Sequence, residues 1–177
     1  MKNSSIFRTS TPLLQLLAIL VTNIGNGMQI LASGLLLYSK TGSSLGFGLL
    51  IAFEYFTSFL FQLSAGSLAD AGHAKFSAFY AELLRGLFIF AVLLPLAHGQ
   101  IQLIFLISLV TNLLKPFYRS ASFAMAPMIV PSSELLVYNS LCSVMLQIGV
   151  LTGAAVTGFL LLRYPPVIII GLNGVSY

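Results

Sequence analysis

Long apolar stretches, interrupted at five short clusters of polar, glycine or proline residues, set the rhythm of this chain. The breaks fall at Ser39–Ser43, Ala69–Lys75, His98–Gln100, Pro131–Glu134 and Arg163–Pro166. Between them run segments near Pro12–Leu37, Ser44–Leu68, Ala74–Ala97, Ile101–Met128 and Leu135–Leu162. Each exceeds the ~20 residues that carry a helix across ~30 Å of hydrocarbon. The pattern predicts an all-α, polytopic membrane helix bundle of five complete transmembrane helices joined by tight turns. A sixth segment, Pro165–Tyr177, is apolar too, but a helix of that length rises only about 20 Å. It reads as the start of a sixth helix, and residues 1–177 as a fragment or the product of an interrupted reading frame.

The segments are not uniformly apolar. In the first, Gln15, Thr22, Asn26, Gln29 and Ser33 recur at spacings of seven, four, three and four, which puts all five on one helix face. In the fourth, Ser108, Asn112, Lys115, Arg119 and Ser122 alternate spacings of four and three. Glu54, Ser58 and Gln62 step by four along the second, and Asn139, Ser143 and Gln147 along the fifth. Segments one, two, four and five are therefore expected to turn polar faces away from lipid. The third carries Tyr80, Glu82 and Arg85 near its start and the sixth only Asn173 and Ser176, so both are expected to be peripheral. Polar faces turned inward make either a dry helix interface or a watered cavity. Four such faces, two of them with ionisable groups, favour the cavity.

Composition agrees. The chain is 58% hydrophobic and 7% charged, against about 25% charged in an ordinary soluble domain. Its net charge of +4 comes from eight scattered basic residues, so nucleic-acid binding has no support. The single Cys142 excludes a disulfide framework within the chain and reads as a packed thiol. No metal-ligand spacing, nucleotide loop or catalytic motif is present, so neither a cofactor nor an enzyme is expected; His73 and His98 both fall in loops. Lys2 and Arg8 precede an apolar run too long for a signal peptide, so a retained first helix is expected. Lys2, Arg8 and Lys75 on one side, against Lys40 and Arg163 on the other, put the amino terminus in the cytoplasm.

The intramembrane charges carry most of the chemistry. A charged group at mid-bilayer costs ~2.5–3.5 kcal/mol even on insertion scales. Glu54 therefore needs a proton, water or a cationic partner, and two roles stay open: proton coupling, or a fixed pair with Lys115 or Arg119. Lys115 and Arg119, one turn apart, call for an anion, either a substrate or a neighbouring carboxylate. Glu82 and Arg85 can pair along one helix. Gly149 and Gly153 form a GxxxG that Gly158 extends, a face for close helix packing. Gly25 and Gly27 mark either a flexible point or a close crossing.

The stretch Gly66-Ser-Leu-Ala-Asp70-Ala-Gly-His-Ala-Lys75 resembles the signature loop of the major facilitator superfamily, with Gly66, Asp70 and Lys75 matching. Ala71, His73 and Ala74 depart from that pattern. Asn23-Ile-Gly25-Asn26-Gly27, Thr41-Gly42-Ser43, Ala81-Glu82-Leu-Leu-Arg85, Ala126-Pro127-Met-Ile-Val-Pro131 with Asn139, and Gly149 through Gly158 are similar to the efflux branch that includes macrolide and siderophore exporters. The resemblance implies twelve helices in two six-helix halves around a mid-membrane site, of which this is the amino-terminal half. It implies alternating-access export of a small molecule, driven by an ion gradient such as protons, in a bacterial inner membrane. Asn26, Gln29, Glu54, Ser58, Asn112, Lys115 and Arg119 would line the pathway. Asp70 would act in the conformational switch with Gly66, Lys75 and Arg85. Where the family's antiporter signature has Gly-Pro, this chain has Gly153-Ala154. The expected partners are lipid, substrate, protons, and a missing carboxy-terminal half or a second copy. The competing expectation is a non-transporting scaffold or degenerate remnant.

Overall fold

The computed structural model describes residues 10–177 and is helical throughout, with no strand among them. Lys2 and Arg8, on which the expected orientation partly rests, lie outside the described residues. Helix α1 spans Ser10–Thr41, α2 Ser44–Leu68, α3 Ala74–Ala97 and α4 Leu103–Ala124. A single turn, α5 (Ala126–Ile129), and a 3-10 turn at Ser132–Glu134 lead into α6 (Leu135–Leu160), followed by α7 (Pro166–Ser176). The fourth segment stops earlier than expected because Pro127 has no N–H to continue the ladder.

Between α2 and α3 the chain does not open into a loop. Ala69–His73 forms a π-helical turn, kinked at Gly72, whose φ of 85° belongs to the left-handed region that glycine enters without a Cβ clash. Asp70 and Lys75 are exposed at this kink, and a Cβ at Gly66 would meet nothing within 4 Å.

The principal interfaces form a closed circuit: α1 on α2, α2 on α4, α4 on α3, α3 on α7, and α7 back on α1. Helix α6 stands outside the circuit against α1, in the most extensive interface of all. Glycines permit this approach. A Cβ at Gly153 would lie 2.0 Å from the Ile24 carbonyl oxygen, and one at Gly27 2.2 Å from that of Val150. A Cβ at Gly149 would sit 2.8 Å from the Leu20 carbonyl oxygen. Gly25 is equally tight against Asn173 and Ser176 of α7, so Gly25 and Gly27 mark close crossings. Gly158 does not belong to this seam, since a Cβ there meets open space.

Side chains are distributed inside-out relative to a water-soluble bundle. Leu63 is 86% exposed, Leu136 82% and Phe59 75%, while Asn26, Glu54, Arg85, Asn112 and Asn173 are buried. Three helical stretches are long and apolar enough to cross a membrane: Ser10–Thr41, the continuous Ser44–Ala97 run, and Ser132–Leu160. Helix α4 is not among them, because Asn112, Lys115 and Arg119 interrupt its apolar run. Five separate crossings are thus more than the helices by themselves establish.

Two expectations about the bundle are corrected. Helices α3 and α7 are not peripheral: Arg85 is 1% exposed, and Ile169, Ile170 and Asn173 are wholly buried. Conversely, the polar face of α6 turns inward only in part: Gln147 lines a cavity shared with α1 and α4 and Asn139 is half-buried, while Ser143 is exposed. The small face at Gly149 and Gly153 takes the α1 contact instead, and the polar residues lie around the helix from it.

Candidate functional site: a polar cleft among four helices

Helices α1, α2, α4 and α6 enclose three adjoining cavities that share Ile30 and Lys115 as common walls. The first, of about 100 Å³, is lined by Glu54, Ser58, Gln62, Asn112 and Arg119 among others. The second, of about 180 Å³, reaches between α1, α4 and α6 and is lined by Asn23, Asn26, Tyr118, Arg119, Cys142, Gln147 and several apolar residues. The third, of about 10 Å³, touches Asn26, Gln29, Glu54, Arg85, Thr111 and Asn112. Asn26, Gln29, Glu54, Ser58, Asn112, Lys115 and Arg119 all lie on these walls. The helical spacings that align them on α1, α2 and α4 are what bring them together.

Local chemistry holds the walls in place. Pro116 lacks an N–H, so it cannot donate to the Asn112 carbonyl one turn earlier. The Ser58 hydroxyl fills that vacancy from α2 at 3.1 Å. Glu54 is buried and accepts from the Ser108 hydroxyl at 2.9 Å. The fixed pair with Lys115 or Arg119 is not formed. At the end of the bundle nearest the kink, Gln15 donates to the Ser122 carbonyl at 2.8 Å and accepts from Tyr138 Oη at 2.6 Å. That bridge ties α1, α4 and α6 together. Gln62 Nε2 donates to Ser120 Oγ at 3.3 Å, tying α2 to α4 at the same end.

Lys115 and Arg119 have no hydrogen-bond or ion-pair partner among the described residues. Lys115 is half-buried and Arg119 exposed into the cleft mouth.

Behind the cleft lies a second polar cluster of different character. Arg85 Nη1 donates to Glu82 Oε1 at 2.7 Å, and Nη2 to Asn26 Oδ1 and Tyr177 Oη, each at 2.6 Å. The guanidinium carbon sits 3.8 Å from the centroid of the Tyr177 ring. Thr22 donates to Glu82 Oε2 at 3.0 Å. Gln29 donates to Thr111 at 3.0 Å and accepts from Asn173, which also donates to Tyr177 Oη at 3.0 Å. Arg85 is therefore an interior residue joining α1, α3 and α7, not a neighbour of the Asp70 turn. The sequence signals the Glu82–Arg85 spacing, but Asn26 and Tyr177, distant in sequence, complete the cluster.

Among the described residues no group of three or more His, Cys, Asp or Glu side chains could hold a metal ion. Comparisons with protein-family models, curated proteins and solved structures found no match.

Proposed function

We propose that this chain is the amino-terminal half of a membrane-embedded secondary transporter of the major facilitator type, exporting a small molecule by alternating access. In this reading α1, α2, α3, α4 and α6 are five crossings of a cell inner membrane and α7 belongs to a sixth. The amino terminus and the Ala69–His73 turn face the cytoplasm. Three long apolar helices and the apolar exposed surface support the membrane placement. The observation that carries the transport reading is the cleft: seven polar side chains of three helices share it, and two of its cations are unpartnered. Polar and ionisable groups at membrane depth are expensive, and mark pathways when they face a watered cavity. Glu54, held by a neutral hydroxyl, is free to exchange a proton and supplies the coupling site. The exposed Gln62 and Gln147 on the cleft walls are positions a second half, or a second copy, would cover.

Cysteine accessibility tests this. In a Cys142→Ser background, Ile30→Cys should react with a small membrane-impermeant methanethiosulfonate in vesicles, and Leu63→Cys should resist it. Alternating access further requires that Ile30→Cys react from either face of the membrane once a second half is supplied. Reaction from one face only, with that half present, is the behaviour of a non-transporting scaffold or remnant. An unreactive Ile30→Cys would remove the watered pathway altogether.

A further inference from the structure

The 180 Å³ cavity between α1, α4 and α6 has an unbalanced lining. Lys115 and Arg119 stand on its wall, and no carboxylate does. Elsewhere in the bundle a cation at this depth is answered: Arg85 has Glu82, Asn26 and Tyr177. Lys115 and Arg119, one helical turn apart on α4, have no such answer among the described residues. Like charges one turn apart disfavour each other, and an anion seated between them relieves that repulsion. The rest of the lining is mixed: Ile19, Leu146 and Val150 give an apolar strip along α1 and α6, beside the polar Asn23, Asn26 and Gln147.

We infer that the cleft takes a small amphiphilic organic anion, with its charged group between Lys115 and Arg119 and its apolar body against the α1–α6 wall. This assignment rests on reading the cleft as the transport pathway, and adds the class of substrate. The adjoining 100 Å³ cavity limits the charge that can enter. Its charged lining is Lys115, Arg119 and Glu54, so with Glu54 ionised two cations face one carboxylate and the formal net charge is +1. A monoanion neutralises that sum; a second negative group would face Glu54. The ligand's end toward Glu54 and Asn112 is therefore uncharged and able to hydrogen-bond. Tyr55, which lines both cavities, stands where the two parts of such a ligand would meet.

Three matched tritiated probes test it: naphthalene-2-sulfonate, naphthalene-2-methanol and naphthalen-2-ylmethylammonium. Each is equilibrated by dialysis with the purified chain in maltoside micelles, against protein-free micelles. The sulfonate should bind at least about tenfold more tightly than either analogue, a difference of about 1.4 kcal/mol. Lys115→Gln and Arg119→Gln should each erase that preference, while Lys115→Arg, which keeps the charge, retains it. Elution volume and helical circular dichroism show that each variant is folded. Equal binding of the three probes, absent binding of the sulfonate, or an undiminished preference in Lys115→Gln would overturn the anion assignment. None of these touches the thiol-accessibility result, so the pathway can stand where its proposed ligand falls.

Discussion

Arg85 and Lys115 sit on neighbouring helices and line the same small cavity, yet the bundle treats them oppositely. Arg85 donates to a carboxylate, an amide and a phenol, and stacks on an aromatic ring. Lys115 donates to nothing among the described residues. A cation that donates to three buried neighbours is part of the scaffold, because its removal orphans them. One with no hydrogen-bonded or ion-paired partner among the described residues keeps its donors for a ligand. Asn26 stands at the border, accepting from Arg85 and Tyr177 while lining the cleft.

The largest effect should come from breaking the closed cluster. Arg85→Leu would leave Glu82, 8% exposed, with no counterion, and would strip Asn26 and Tyr177 of a donor. Breaking a buried pair on one side costs about 3–5 kcal/mol. Thermal unfolding in micelles should record that loss. Arg85→Leu combined with Glu82→Leu should recover much of it, since the orphaned charge is gone. If the double variant is no better than the single, the Glu82 pairing is not what makes Arg85 structural.

Next in size is the wall of the cleft itself. Gly153→Ala would push a methyl group to 2.0 Å from the Ile24 carbonyl, forcing α1 and α6 apart. Overpacking of this kind costs about 1–3 kcal/mol. Gly158→Ala, in open space, should change the melting point little, by the equivalent of about 0.5 kcal/mol or less. Equal effects at the two glycines would mean the α1–α6 seam does not hold that wall.

The open region was far easier to read in the sequence than the closed one. Its polar residues recur every third or fourth position along single helices, and periodicity alone put Asn26, Glu54, Asn112, Lys115 and Arg119 on faces that the structure brings to one cleft. The closed cluster has no such period. Glu82 and Arg85 are a local pair, but Arg85 meets Asn26 and Tyr177 at separations of 59 and 92 residues, which no spacing rule reaches. Helix α7 looked peripheral because it is short and nearly all apolar, although Asn173 is fully buried within it. On α6 the polar repeat was a partial guide: Gln147 reaches a cavity wall, but backbone approach at Gly149 and Gly153 decided which face packs, and Ser143 stays exposed. Likewise the polar Ala69–Lys75 stretch read as a loop, yet its backbone hydrogen bonds close a π-helical turn.

A smaller change separates charge from hydrogen bonding inside the cleft. Glu54→Gln keeps an oxygen for the Ser108 hydroxyl, so unfolding should shift by no more than about 1 kcal/mol. It also removes the one carboxylate facing Lys115 and Arg119 in that cavity, so the affinity for naphthalene-2-sulfonate should rise. If Glu54 is the coupling site of the proposed transporter, proton-driven export with both halves present should be lost. Export that remains coupled in Glu54→Gln would show that the proton is carried elsewhere.

The smallest expected change in stability bears most directly on the contrast. Lys115→Met replaces an unpartnered cation by an apolar side chain of similar length. It removes no hydrogen bond among the described residues, and leaves no acceptor stranded. The desolvation cost of the ammonium group disappears with it. Unfolding of Lys115→Met should therefore shift by about 0.5 kcal/mol at most, toward greater stability, while naphthalene-2-sulfonate loses its preference over the neutral analogue. Arg85→Leu, measured beside it, supplies the scale. Should Lys115→Met destabilise the bundle as severely as Arg85→Leu, Lys115 would be one more scaffold cation. The cleft would then be a packing defect between helices rather than a place for a ligand.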